Sequence, residues 1–181
     1  MRYDGFNLND IMTATFLMTD TVSSVEVKDA FFIATVQSMQ SAEVPIEVRG
    51  DYPMTDALSA ATTKNYWLIV DGNRILRQED NLDLSDLQSR VQVELVFPVD
   101  LNSQWSIFNA KDAPANRTVA RVDSIVVPAG EFTDCRYLDT NMAGMTIGDW
   151  FCPGIGLVQH HAEHHGTPYG NRQELVSYKV G

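Results

Sequence analysis

The chain has 181 residues, 24 acidic against 13 basic, and a formal net charge of -11 at pH 7. That charge repels phosphate backbones and anionic membrane surfaces, so nucleic acid is excluded as an expected partner. With 44% hydrophobic residues the chain reads as one soluble globular domain, no run approaches the roughly 20 apolar residues of a spanning helix, and Met1 to Gly5 lacks the basic flank and apolar core of a signal peptide.

Period-two alternation recurs along the chain, which predicts strands with one buried face. Val22 to Val27 and Phe31 to Ser38 read as strands joined at Lys28–Ala30. Val44, Ile46 and Val48 share one face of a short strand, and Pro45, lacking an amide hydrogen, places it at an edge. Residues 51–63 suggest a short helix capped by Thr55 or a simple connection. Tyr66 to Val70, a turn at Asp71–Asn73, and Arg74 to Arg77 form a predicted hairpin, because Gly72 supplies the backbone angles of a tight loop. Glu79 to Leu87 is acidic and reads as an exposed loop or single helical turn; it lacks the ligand spacing of a calcium loop. In Val91–Phe97 the odd positions Val91, Val93, Leu95 and Phe97 form an apolar face against polar Gln92 and Glu94. A long strand, Thr118 to Val127, leads to a turn at Pro128–Gly130.

Residues 132–139 and 147–152 are expected to pair as a hairpin around Ala143 and Gly144. That pairing sets Cys135 roughly opposite Cys152, as a disulfide in a suitable register or as two buried free thiols. The final strand spans about 172–180, with Val176, Tyr178 and Val180 on one face. No segment is long enough for the crossover helices of a parallel sheet. The predicted fold is therefore one all-β domain, or a β-rich α+β one: a curved antiparallel sheet or incomplete barrel, with a β-sandwich as the alternative.

The segments Val126-Val-Pro-Ala-Gly-Glu-Phe-Thr-Asp-Cys135, Gly148-Asp-Trp-Phe-Cys-Pro-Gly-Ile-Gly-Leu-Val158 and Glu174-Leu-Val-Ser-Tyr178 resemble the closing part of a group of bacterial proteins that are often exported or lipid-anchored. Pro128, Gly130, Phe132, Cys135, Trp150, Pro153, Gly154, Gly156 and Leu157 carry the pattern, over about 55 residues; Cys152 departs from it, since a small residue such as alanine is usual there. The resemblance implies a curved antiparallel fold of the lipoprotein-carrier type and a periplasmic or cell-envelope location. Without an export signal upstream, the alternative is the cytoplasm.

All four histidines fall in Val158-Gln-His-His-Ala-Glu-His-His-Gly166. In an extended chain His161, Glu163 and His165 point one way and His160 and His164 the other, so a divalent transition metal at His161, Glu163 and His165 is one expectation and a plain polar loop the other. The stretch is not the HExxH pattern of a metallohydrolase. Among the aromatics, Trp67, Phe97 and Trp150 could line a groove on a curved sheet, or simply fill its core. The leading functional expectation is a non-catalytic envelope protein binding an apolar small molecule or an envelope protein. A structural or interaction module and a metal-dependent enzyme built on the histidines are the alternatives.

Overall fold

The computed structural model describes residues 2–6, 12–42, 47–48, 62–79, 81–87, 91–108, 115–142, 144–166 and 170–179. The strands are β1 (Arg2–Phe6), β2 (Met12–Lys28), β3 (Phe31–Ala42), β4 (Glu47–Val48), β5 (Thr62–Asp71), β6 (Arg74–Glu79), β7 (Gln92–Val96), β8 (Gln104–Ser106), β9 (Asn116–Val127), β10 (Gly130–Met142), β11 (Met145–Cys152), β12 (Gly156–His164) and β13 (Gly170–Glu174). They form one antiparallel sheet in the order β7-β6-β5-β3-β2-β1-β13-β12-β11-β10-β9-β8, with β4 paired to β2. The curved antiparallel expectation holds, and the architecture is one sheet rather than two stacked ones.

The predicted turns are present because local chemistry fixes them. Asp71 pairs with Arg74 around Gly72, whose φ is +59°. Val127 pairs with Gly130 around Pro128 and Ala129. The 79–87 segment carries a single 3-10 turn, Leu84–Asp86, begun by Asp83, whose carboxylate accepts from the Ser85 amide. It is less exposed than its acidity suggests. Leu82, Leu84 and Leu87 cover a core of Ile33, Ile69, Leu76 and Val91, and buried Gln78 accepts from the Asp83 amide at 2.9 Å, which ties the loop down. Removing side chains such as Ile33, Ile69 and Leu76 from water contributes roughly 1.5–3 kcal/mol each.

Three expectations are corrected. Glu94 is not on a solvated face: Ile75 pairs with Leu95 and Leu76 with Val93, so Glu94 is the extra residue of a β-bulge, and its side chain is only 15% exposed. A bulge breaks the two-residue period and turns the following side chains, so β7 ends at Val96 and Phe97 is exposed. The last strand ends at Glu174. The buried residue beyond it is Leu175, whose amide bonds Val158 O and whose carbonyl accepts from Ala129 N, while Tyr178 is exposed and packs on Phe132. The expected strand at 44–46, the 51–61 segment and Val180 lie outside the described residues; Thr62 and Thr63 belong to β5.

Residues paired across neighbouring strands share a face, so the register lets each face be followed across the sheet. One face carries Ile33, Ile69, Leu76 and Trp67 in its first half and Tyr137, Trp150, Cys135 and Cys152 in its second. The other carries Phe32, Val36, Tyr66 and Arg77 in the first half and Arg117, Leu138, Asp149 and His160 in the second. The sheet curls toward this second face, because side chains on it reach from one end of the strand order to the other. Arg117 on β9 bonds Glu94 on β7, and Arg136 on β10 donates to Val99 O. Trp105, Val119 and Leu138 form a core there against Val93, Leu95, Val96, Val99 and Phe151. The two end strands meet without a ladder: among the described residues, one main-chain bond joins β7 to the end of β8, Val93 N to Ile107 O at 2.9 Å, with the Trp105 indole donating to Val93 O.

Candidate functional site: an apolar mouth above a charged layer

Antiparallel order brings the turns at Asp29–Ala30, Gly72–Asn73, Pro128–Ala129 and 153–155 to the same end of the curled sheet. The concave face is apolar and open at this end. Its outermost row on one wall runs Val27, Phe32, Val70, Ile75, and the next runs Val25, Ala34, Leu68, Arg77. Val25, Val27 and Phe32 are 68%, 65% and 58% exposed. The opposite wall contributes exposed Val122 and Val126 on β9. Isolated exposed valines need no explanation, but a group converging on one concave surface does.

Two rows deeper the same face closes on β3 and β5, while Val22 on β2, paired with Val36, stays 57% exposed. Val36 and Tyr66 are 3% and 9% exposed. The Tyr66 hydroxyl donates to Asp20 Oδ2 at 3.1 Å, and the Arg77 guanidinium lies 3.9 Å from the Tyr66 ring centroid. Burial, then the Asp20 carboxylate, pushes the Tyr66 hydroxyl far above its ordinary pKa. On the opposite wall Arg117 is almost fully enclosed. It donates to Thr140 Oγ1 at 3.0 Å, to Glu94 O at 3.0 Å and to Asp149 Oδ2 at 2.7 Å. Asp149 Oδ1 in turn lies 2.6 Å from His160 Nδ1. Burial holds the Glu94 carboxyl above its usual range, with Arg117 and Arg77 opposing. Every buried charge in this layer has a partner of opposite sign, which is the condition for placing it inside.

The residues singled out in the sequence are spread over several places. Phe97 stands at the mouth, after β7. Trp67 and Trp150 lie on the convex face. Trp67 packs against the Ile33 cluster. Trp150 packs into a core of Ile125, Val127, Cys135, Cys152, Val158 and Leu175, with its ring 5.1 Å from that of Tyr137 and Arg121 stacked on both. The cysteines are joined: Cys135 and Cys152 form a disulfide with Cα atoms 4.2 Å apart, beside the paired residues Arg136 and Phe151.

β12 is extended, so His161 and Glu163 share a face, away from His160. His161 and the Tyr137 hydroxyl close over Gly148, where even one methyl group would collide. His165 Nε2 lies 2.7 Å from Thr146 Oγ1, and His160 belongs to the charged layer. Among the described residues no three His, Cys, Asp or Glu side chains are gathered as a metal would require.

The charged layer was not anticipated from the sequence. Its signal was present: Asp149 alternates with Ile147 and Phe151, and Arg117 with Val119, so both charges occupy inward positions on apolar strands.

No family model matches the chain, and no curated protein matches it. Solved structures do. A Bacteroides fragilis protein, named as a candidate exported protein with a YmcC-like fold, is 9% identical with a TM-score of 0.56, over 99% of this chain and 94% of that one. A candidate lipoprotein from Parabacteroides distasonis is 12% identical with a TM-score of 0.54, over 98% of this chain and 93% of that one. The curled antiparallel sheet built here from register and burial is thus a fold this chain shares, nearly end to end, with two bacterial proteins of very different sequence.

Proposed function

We propose that the protein is a non-catalytic component of the bacterial cell envelope that binds an apolar ligand in the mouth of its curled sheet. The observation that carries the binding reading is the convergence of exposed Val25, Val27, Phe32, Val70, Val122 and Val126 on one concave surface. The location is supported by the disulfide, which takes up both cysteines of the chain and persists in oxidising compartments. It is also supported by the names of the two proteins with this fold, one given as exported and one as a lipoprotein.

Titration with the fluorescent apolar probe N-phenyl-1-naphthylamine tests the binding site. Saturable enhancement is expected, with affinity falling at least about tenfold in Phe32→Asp and Val27→Asp and unchanged in Met39→Asp, which alters an exposed apolar residue on the convex face. Equal loss in all three variants, or no saturation with the native chain, rejects the site. Thiol labelling of the protein taken directly from cells tests the compartment, where protected cysteines are expected.

A second reading, an interaction module, is favoured by the edge of β2. From Thr19 to Lys28 its β1-facing edge has no strand partner among the described residues, so an extended segment of another chain could add there.

A further inference from the structure

Resting on the binding reading above, we infer that the mouth takes the tail of a single-chain amphiphile with a neutral or cationic head, and that Tyr66 with Arg77 sets how far the tail enters. Two features of the site argue for this occupant. The apolar lining comes from both walls and on β3 stops abruptly: Phe32 is 58% exposed and Val36, four residues along the same strand, is 3% exposed, while Val22 beside it on β2 is 57% exposed. At about 3.3 Å per residue that depth is roughly 13 Å. It suits a narrow chain entering end-on better than a flat protein surface. Below it the Tyr66 ring, capped by Arg77 and fixed to Asp20, occupies the face where a longer chain would continue.

The second feature is the charge around the opening. Asp29, Asp100 and Glu131 are exposed there and make no ion pair among the described residues, against Lys28 and Lys179, whereas Arg74 and Arg136 are paired with Asp71 and Asp134. The rim is therefore net acidic, in a chain of charge -11. A head group held at that rim is attracted if cationic, tolerated if neutral and repelled if anionic, and the preference weakens as salt screens it.

The test uses calorimetric titration of the full, disulfide-intact chain with alkyltrimethylammonium ions and alkyl carboxylates of 6 to 14 carbons, below their micelle concentrations. In low salt the cationic series should bind at least about fivefold more tightly than carboxylates of equal length, and the gap should narrow as salt is raised. Affinity should climb about fourfold per methylene and then level off. Tyr66→Ala should move the levelling point to longer tails, while Tyr66→Phe, which keeps the ring, should leave it in place; Arg77→Ala provides the same test if the alanine variant at 66 does not fold. Carboxylates binding as well as the cations would overturn the head-group assignment. An unbroken climb through 14 carbons, or a levelling point unmoved in the alanine variants, would overturn the depth stop. Both results leave the apolar site standing, whereas absence of binding in every series, together with no enhancement of the naphthylamine probe, removes the binding reading itself.

Discussion

Ala30 shows how one side chain can sit against its own backbone preference. The β2–β3 hairpin closes through Asp29 and Ala30 with φ values of 50° and 71°. Asparagine, aspartate and glycine tolerate that left-handed region; alanine, with its Cβ, does so at a cost of about 1 kcal/mol. Ala30→Gly should therefore stabilise the protein by about 0.5–1 kcal/mol, read as a rise in the urea midpoint at unchanged slope. The sequence indicates this turn through its position between two alternating runs. Its strain is invisible there, because a two-residue loop becomes obligatory only once Lys28 is paired with Phe31.

At the scale of elements, the β10–β11 hairpin shows what a covalent tie adds. Its Asn141–Thr146 and Arg136–Phe151 pairs place the two cysteines opposite each other, and both are buried beneath Trp150, Val158 and Leu175. A cross-link closing a sequence separation of 17 restricts the unfolded chain by an amount worth about 3 kcal/mol. Replacing both cysteines with alanine should lower stability by about that much, measured by urea unfolding, and reductant should have no further effect on the variant. The sequence placed the cysteines across a hairpin but left both a bond and two free thiols open. The choice depended on register, which β9 and β12 on either side fix by their own pairing.

For the whole molecule, closure of the sheet depends on the layer around Arg117, which ties β7 to β9, β10 and β11. Glu94 is the member that folding opposes, since burial raises its carboxyl above the ordinary 4.5. The folded chain thus holds that proton more tightly than the unfolded chain. The stability this gives is fully present below the unfolded value and is lost as the pH rises through the folded one. Glu94→Gln removes the ionisation while Arg117 keeps Asp149, Thr140 and the main-chain carbonyl at 94. Relative to the native protein, the Gln variant should gain stability steadily from pH 4 to pH 7, as urea unfolding at each pH would show. A constant difference across that range would contradict the burial of this charge.

The sequence by itself determined most of the strands from Val22 onward, most of their turns and the antiparallel class, because alternation and turn chemistry act over two to six residues and need no partner; β1, the first half of β2, β8 and the histidine part of β12 carried no such signal. Only the tertiary structure decided which face is concave, where the apolar mouth opens and which charges are enclosed. The extra residues near Ser23, Glu94 and Val158 reset the alternation locally, so counting by two along the chain loses the face. Trp67 and Trp150, plausible as groove residues by type, therefore lie on the convex side. Arg117, Asp149 and Glu94, far apart in sequence, become one buried layer only when the ends of the sheet meet.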